Sequence, residues 1–213
     1  MKSLYLAAAA AALAAFPAGA ATITNGSFEL GSNPGSFTTL NNGDSTSITG
    51  WTVGGGGVDY IGSYWEAADG DRSVDLSALS AGSISQDIND LIIGRTYRIT
   101  FALAGNPDGP GSTRLALVSA APGGLTAVET YTIGAGTSRS NMNWQDRSYT
   151  FLAGANSVRL TFESGENNPF GPALDNVRLS VVPEPATWAL MILGFGAVGG
   201  AMRRRTVRTL ATA

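Results

Sequence analysis

Apolar and polar residues alternate one by one along several short stretches of this chain. Between residues 95 and 103, every second residue is apolar: Tyr97, Ile99, Phe101 and Leu103. Successive side chains of a β-strand point to opposite faces of a sheet, so this period of two predicts a strand with one buried face. The further stretches that share this pattern are 113–117, 148–151 and 157–162.

Turn-forming residues separate more short apolar stretches over most of the chain. Six of these stretches are also predicted to be strands: 23–30, 57–62, 72–77, 83–88, 127–133 and 173–182. Residues 31–47 are rich in Ser, Thr, Asn and Gly and are predicted to form a surface loop. No long amphipathic helix pattern interrupts the series. Many short strands joined by turns are typical of a jelly-roll β-sandwich, so we predict an all-β domain over residues 21–182.

One polar residue falls on a face that is predicted to be buried. Gln86 stands between Ile84 and Ile88 at the strand period, so its amide should point into the core. A buried amide needs hydrogen-bond partners. We therefore expect backbone or side-chain groups to pair with Gln86.

The first 20 residues have the pattern of a secretory signal peptide. Lys2 precedes an apolar, alanine-rich run from Leu4 to Phe16, and small residues follow up to Ala20. A basic start, an apolar middle and a small-residue cleavage site are the three parts of such a peptide. We predict export and cleavage near Ala20. A buried alanine-rich helix is the alternative.

The C-terminal part has three regions in order. The motif Pro183-Glu184-Pro185 comes first, residues 186–202 are uncharged, and Arg203-Arg204-Arg205 follow. As a helix, the uncharged region would span about 25 Å, slightly less than the ~30 Å hydrocarbon core of a bilayer. Its glycines weaken it further, so we predict a marginal membrane helix. Arginine clusters stay in the cytoplasm, which would place residues 206–213 inside and the domain outside.

This tail resembles the PEP-CTERM sorting signal of Gram-negative bacteria. The stretch VPEPATWALMILGFGAVGGAMRRR has that family's order of motif, span and basic end. The resemblance implies recognition by an exosortase, cleavage near Pro183-Glu184-Pro185, a transient hold on the inner membrane, and delivery to the cell surface or extracellular matrix. A permanent C-terminal anchor that is never cut is the alternative.

The composition of the predicted domain excludes several kinds of chemistry. The chain has no histidine and no cysteine, which removes the Ser-His-Asp triad, the Cys-His pair, the usual zinc ligands and any disulfide. Residues 21–182 have no lysine, and their eight arginines face 15 acidic residues, a net charge of −7. An acidic surface disfavours nucleic acid as a partner, because binding to phosphates needs cationic side chains.

Paired carboxylates could still hydrolyse a polysaccharide. The glutamates of the predicted domain are Glu29, Glu66, Glu129, Glu163 and Glu166. Their spacing selects no pair, so we predict a protein that is not an enzyme. A secreted, polysaccharide-active hydrolase that uses a carboxylate pair is the alternative function.

The order of short motifs in the domain resembles a group of bacterial surface domains. The motifs are NGSFE at 25–29, DGDRSVDL at 69–76, AGN at 104–106 and GPALDNV at 171–177. Together they resemble the choice-of-anchor C type, which is related to plant cell-wall DUF-type proteins. The resemblance implies a galactose-binding-like jelly roll, the fold of many carbohydrate-binding modules.

The same resemblance implies a structural calcium ion between the first and last strands. The matching ligands are the Ser27 carbonyl and the carboxylates of Glu29 and Asp175. The alternative is that both carboxylates accept hydrogen bonds from loop backbone without a metal. The acidic stretch 69–75 is not an EF-hand loop, because Val74 stands where that loop needs glycine. It is predicted to enter a strand with Val74 buried.

Aromatic residues in predicted loops are candidate platforms for a sugar. Tyr64 and Trp65 lie close to acidic residues, and Phe170 lies in a second loop. Aromatic faces stack on the C–H surfaces of sugars, while carboxylates and amides bind hydroxyl groups. We predict that these three residues contact an exopolysaccharide or other glycan. Core packing is the alternative, and it is the role predicted for Trp51 and Trp144.

Overall fold

A computed structural model describes residues 21–109, 111–120, 126–183 and 185–209. The predicted signal peptide lies outside this part of the chain. The described residues form eleven strands and one helix. These are β1 (Phe37–Leu40), β2 (Thr52–Gly55), β3 (Val58–Ile61), β4 (Ser73–Asp75), β5 (Gly82–Ile88), β6 (Thr96–Gly105), β7 (Ser112–Ala120), β8 (Thr126–Thr132), β9 (Gln145–Leu152), β10 (Val158–Ser164), β11 (Pro172–Val181) and α1 (Pro185–Thr209).

The strands form two sheets that pack face to face. The six-stranded sheet has the order β1-β3-β4-β11-β6-β9, and the five-stranded sheet has the order β2-β5-β10-β7-β8. Neighbouring strands such as β6 and β11, or β5 and β10, run antiparallel. Between the sheets, the ring of Phe101 in β6 lies edge-on to that of Phe162 in β10, with centroids 5.2 Å apart. The prediction of an all-β sandwich is confirmed.

Burial follows the alternation that the sequence predicts. In β5, Ile84 and Ile88 are fully buried, and Gln86 between them is buried as well. The Gln86 side chain accepts a hydrogen bond from the backbone N–H of Thr24 at 2.7 Å and donates one to the carbonyl of Gly50 at 2.8 Å. The expected partners are therefore present, and they fasten the N-terminal segment to the five-stranded sheet.

The strand predicted at 23–30 is wrong. Asn25 and Phe28 have φ angles of 54° and 61°, in the left-handed region that interrupts a strand. The Asn25 side chain stabilises the resulting turn, because its Oδ1 accepts the Leu30 N–H at 2.9 Å. Phe28 itself is fully buried and packs against Trp51, with ring centroids 5.4 Å apart.

The predicted surface loop 31–47 contains an edge strand. Strand β1 pairs with β3, although only Leu40 among its four residues is buried. An edge strand with one buried side chain has no alternating pattern, so the sequence gives no signal for it. Strand β2 is also absent from the prediction, since it is short and ends in two glycines.

The chain continues after the sandwich into the helix α1, whose apolar side chains are exposed. The large exposed ones are Leu190, Met191, Ile192, Leu193, Phe195, Val198 and Met202. Within the part of the chain that the structure describes, no helix is both long enough and apolar enough to span a bilayer. The membrane span predicted over residues 186–202 is therefore not confirmed.

Candidate functional site

Three carboxylates beside the six-stranded sheet organise the loops around a cleft. They are Glu29, Asp75 and Asp175, and we call them the carboxylate framework. Each accepts hydrogen bonds from the backbone of segments that are distant in sequence. The motifs singled out in the sequence meet here for that reason.

Asp75 ends β4 and is almost fully buried. Its Oδ1 accepts the N–H groups of Ser77 at 2.9 Å and Gly171 at 3.1 Å, and its Oδ2 accepts the Asn106 side-chain amide at 2.8 Å. A Cβ atom on Gly171 would collide with Asp75 Oδ1, which explains the glycine at this position. Burial raises the Asp75 pKa from 3.8 to about 8, and the N–H donors act in the opposite direction.

Asp175 lies in the middle of β11 and is fully buried. Its Oδ2 accepts the backbone N–H groups of Ala68 at 2.7 Å and Asp69 at 2.9 Å. The pairing of β11 with β6 is irregular beyond Asp175, and Asn176 has a φ of 53° there. Burial raises the Asp175 pKa to about 7, against the effect of its backbone donors. The carboxyl thus holds the loop that leads into β4.

Glu29 holds the same loop from the other side. Its Oε1 accepts the N–H groups of Asp71 at 2.9 Å and Arg72 at 2.8 Å. A Cβ atom on Gly70 would collide with this carboxyl, so the loop needs glycine to approach it. Glu29 and Asp175 together clamp the segment 68–72.

These contacts bear on the calcium prediction. Glu29 and Asp175 accept hydrogen bonds from loop backbone, which is the arrangement given above as the alternative to a metal. In the described ranges, no group of three or more acidic side chains is placed so that it could hold a metal ion. Calcium at Ser27, Glu29 and Asp175 stays a prediction. Val74 is fully buried, as predicted for the stretch 69–75.

A cleft of about 280 Å³ opens beside the carboxylate framework. Its lining combines aromatic, aliphatic and acidic side chains. The lining residues are Phe37, Thr39, Asp59, Ile61, Tyr64, Trp65, Asp75, Ala78, Leu79, Asn106, Asp108, Pro169 and Phe170. The cleft lies on the outer face of the six-stranded sheet, because Asp59 of β3 pairs with Asp75 of β4, whereas their neighbours Tyr60 and Val74 pair with each other and point into the core.

The three aromatic residues predicted to bind a ligand all line this cleft. Trp65 is buried, and its indole N–H donates to the hydroxyl of Ser73 at 2.8 Å, so it forms the base of the cleft. Phe170 is partly exposed and packs over Gly109, where a Cβ would be too close. The structure therefore brings two separate loops together, as the prediction requires.

Tyr64 is held in place by charged neighbours. Its hydroxyl donates to Asp108 at 2.9 Å and accepts a hydrogen bond from Arg139 at 2.6 Å. The Arg139 guanidinium also lies over the Tyr64 ring, 4.0 Å from its centroid. One ring face is thus covered, and Phe37 packs edge-on at 5.1 Å. Phe37, itself 45% exposed, offers more open aromatic surface than Tyr64.

Phe37 and Asp59 also line the cleft, although no pattern in the sequence indicated it. Phe37 pairs with Ile61, and Thr39 pairs with Asp59, in the register of β1 and β3. The hydroxyl of Thr39 donates to Asp59 Oδ1 at 2.6 Å. Burial raises the pKa of the Asp59 carboxyl. Asp59 is also the cross-strand partner of Asp75.

Most of the glutamates considered for hydrolysis lie in different parts of the domain. Glu29 and Glu66 line a second, more polar pocket of about 460 Å³ together with Arg72. Glu129 instead accepts hydrogen bonds from Tyr149 and Arg147 between β8 and β9. The remaining two glutamates are Glu163, on β10, and Glu166, in the loop that follows it. Trp51 and Trp144 pack in or against the core, as predicted.

The sorting motif lies between the sandwich and α1. Pro183 is exposed after β11, and Pro185 begins the helix. Glu184 falls outside the described residues. Arg203, Arg204 and Arg205 are in the last part of α1, and the Arg203 side chain is exposed.

The fold and the cleft define a β-sandwich domain with a ligand-sized depression on the outer face of one sheet. The chain belongs to the family described as "Protein of unknown function (DUF642)", which matches residues 21–180. The PEP-CTERM protein-sorting motif matches residues 181–205. The resemblance of the tail to the PEP-CTERM sorting signal is thereby confirmed, and the motif indicates export from the cytoplasm.

One curated relative and two solved structures are similar to parts of this chain. Halomucin of Haloquadratum walsbyi (strain DSM 16790 / HBSQ001) is 35% identical over 170 residues, which are 76% of this chain and 2% of halomucin. TmCBM61 in complex with β-1,4-galactotriose is 17% identical with a TM-score of 0.46, covering 63% of this chain and 90% of that one. The CBM22-1 xylan-binding domain of Paenibacillus barcinonensis Xyn10C is 17% identical with a TM-score of 0.44. The similarity covers 69% of this chain and 94% of the xylan-binding domain.

Proposed function

We propose that this protein is an exported, non-catalytic, glycan-binding protein of the cell surface or extracellular matrix. The observation that carries the proposal is the cleft, where Phe37 and Phe170 lie beside Asp59 and Asn106. Aromatic rings stack on the C–H faces of sugars, and carboxylate and amide groups bind their hydroxyls. The cleft volume is near the lower end of small-molecule sites, about 300 Å³, which suits a terminal or short glycan unit.

A glycan array tests this function. The exported protein, purified in mild detergent, should bind a subset of glycans, and Phe37→Ala should lose most of that signal. Leu152→Ala is the matched control, because it removes an exposed apolar side chain from β9, away from the cleft. Trp65→Ala is a poor probe, since Trp65 is buried. Equal binding by Phe37→Ala and the parent would count against the cleft.

The proposal includes processing of the tail by an exosortase near Pro183-Glu184-Pro185. A sorting motif placed directly after the last strand supports this step. The mass of the protein recovered from cells and from medium tests it. The measured mass should correspond to a chain that ends near Pro185. A mass that corresponds to a chain ending at Ala213 would show that the tail is retained.

We also propose a structural calcium ion at Ser27, Glu29 and Asp175, because the resemblance of the sequence motifs to carbohydrate-binding modules of this fold implies one. The ion would join the turn after residue 25 to β11. A chelator should then lower the melting temperature of the exported protein. If the melting temperature is the same with and without chelator at neutral pH, the hydrogen bonds to loop backbone are sufficient and the calcium proposal fails.

Hydrolysis is the second candidate function, because Glu29 and Glu66 line one pocket. The two backbone N–H groups bonded to Glu29 Oε1 already use that oxygen, which argues against a nucleophile. Release of reducing ends from polysaccharides would identify a hydrolase, and Glu66→Gln should then abolish the release.

A further inference from the structure

We propose that the cleft prefers glycans with a free, protonated amino group over the same glycans in N-acetylated form, and that it rejects uronic acids. This inference rests on the proposed glycan-binding function. The observation behind it is the charge of the cleft. Three aspartates line it, and none of its lining residues is cationic.

Two of these three carboxylates already have their partners. Asp108 forms an ion pair with Arg139 at 2.9 Å and accepts a hydrogen bond from Tyr64. Asp75 is buried and accepts three N–H donors from the protein. Neither of these two carboxylates therefore lacks hydrogen-bond partners that a ligand cation would supply.

Asp59 is different from the other two. Its Oδ1 accepts one hydrogen bond, from the Thr39 hydroxyl. Among the described residues, no arginine forms an ion pair with it. Half-burial raises the pKa of this carboxyl, so its charge is less well solvated than in water. A ligand ammonium group at Asp59 would stabilise the ionised carboxylate and gain a charge-assisted hydrogen bond.

The neighbours of Asp59 place this carboxylate next to an aromatic surface. Residues two apart on a strand share a face, so Phe37 and Thr39 of β1 lie on the same side as Ile61 and Asp59 of β3. All four line the cleft. A sugar ring against Phe37 would therefore present a substituent toward Asp59, and an exposed ring face also attracts a cation.

The opposite charge is excluded by the same arrangement. A uronic acid in this position would bring its carboxylate toward Asp59 with no lining cation to offset the repulsion. An N-acetyl group would keep the sugar ring but lose the charge. The cleft would thus distinguish ligands by the charge of the one substituent that faces Asp59.

Calorimetric titration of the exported protein, purified in mild detergent, at about pH 6 tests the inference. The probes are glucosamine oligomers, N-acetylglucosamine oligomers of the same length, and oligogalacturonate. We expect the free amine to bind about tenfold more tightly than the acetylated form, as for a partly buried charge pair, and oligogalacturonate not to bind. Asp59→Asn should remove this difference. Asp90→Asn is the control for loss of one charge, because Asp90 is exposed and its φ of 63° suits asparagine.

The outcomes separate the two proposals. If the parent binds the acetylated oligomer as tightly as the free amine, the preference is wrong while glycan binding stands. If Asp59→Asn keeps the full preference, Asp59 is not its source and the inference fails. If none of these sugars binds and the glycan array is also blank, the proposed function fails with it. The comparison of the three ligands on the parent protein decides the matter even if Asp59→Asn does not fold.

Discussion

The cleft region of the six-stranded sheet and the outer face of the five-stranded sheet use aspartate in opposite ways. In the cleft region, Asp75 and Asp175 are buried and accept hydrogen bonds mostly from backbone N–H groups. On the five-stranded sheet, Asp87 of β5 and Arg159 of β10 are cross-strand partners that form a two-pronged ion pair in solvent. Aspartate thus holds loops in place beside the cleft, whereas on the five-stranded sheet it forms an ion pair on a strand surface.

The difference lies in what would happen if each carboxylate were removed. Water replaces the partner of an exposed ion pair, so little stability is lost. Backbone N–H groups that pointed at a buried carboxylate have no such replacement, and each unsatisfied one is costly. The cleft therefore depends on a few buried groups, whereas the sheet surface does not depend on its ion pairs.

Asp75→Ala should have the largest effect. It would leave the Ser77 and Gly171 N–H groups and the Asn106 amide buried without their acceptor. We expect a loss of about 3–5 kcal/mol in the free energy of unfolding, because each of the three buried N–H donors left without an acceptor costs about 1–3 kcal/mol. Urea denaturation followed by tryptophan fluorescence measures it. A loss as small as that for Asp87→Ala would contradict the contrast between the two regions.

The pH dependence of stability should follow from the same buried acids. The folded-state pKa values of Asp75 and Asp175 are raised from 3.8 to about 8 and about 7, with the nearby Asp59 and Asp69 carboxylates adding to burial. Between about pH 4 and pH 8 the folded state holds more protons than the unfolded state, so stability falls as pH rises.

Melting temperatures between pH 4 and pH 8, measured with a chelator so that no metal ion affects the titration of Asp175, test this expectation. They should decrease toward pH 8, and Asp75→Asn should flatten the decrease because it removes one of the two groups. A melting temperature that rises steadily over this range would contradict the assignment of these carboxyls as buried groups that ionise late.

Asp175→Asn should have a smaller and more local effect. The amide oxygen can still accept the Ala68 and Asp69 N–H groups, but the side-chain amide would face the Asn176 N–H, which now donates to Asp175 Oδ1. We expect about 1–3 kcal/mol of destabilisation and faster proteolysis within the loop 66–72. Limited proteolysis with mass analysis locates the cut, and cleavage only at the chain ends would speak against this role.

Asp87→Ala should have the smallest effect. Arg159 lowers the pKa of Asp87 by hydrogen bonding, yet both side chains are more than half exposed. We expect the urea midpoint to stay close to that of the parent. A large shift would mean that exposed pairs on the five-stranded sheet contribute as much as the carboxylate framework.

The sequence predicted the fold best where one face of a strand is buried and the other is not. Alternation is clear in β5, β6 and β10 because their inward side chains fill the core between the sheets. It fails for β1, where a single side chain is buried, and for residues 23–30, where left-handed residues interrupt an apparently strand-like stretch. Alternation does not report edge position, and in residues 23–30 the turn-forming pair Asn25-Gly26 interrupts the strand-like pattern.

The candidate site could be predicted only in part for a related reason. Tyr64, Trp65 and Phe170 are recognisable because aromatic residues in loops are unusual. The proximity of Phe37 to Asp59 depends on the register of β1 against β3, which no local pattern encodes. The role of Asp75 was also not foreseen, because its partners lie in three segments that meet only after folding.

A crystal structure of the exported protein with a glycan from the array would test glycan binding in the cleft most directly. We expect a sugar ring against Phe37 and Phe170, with polar contacts to Asp59 or Asn106. A glycan bound elsewhere on the molecule, with the cleft empty, would contradict it.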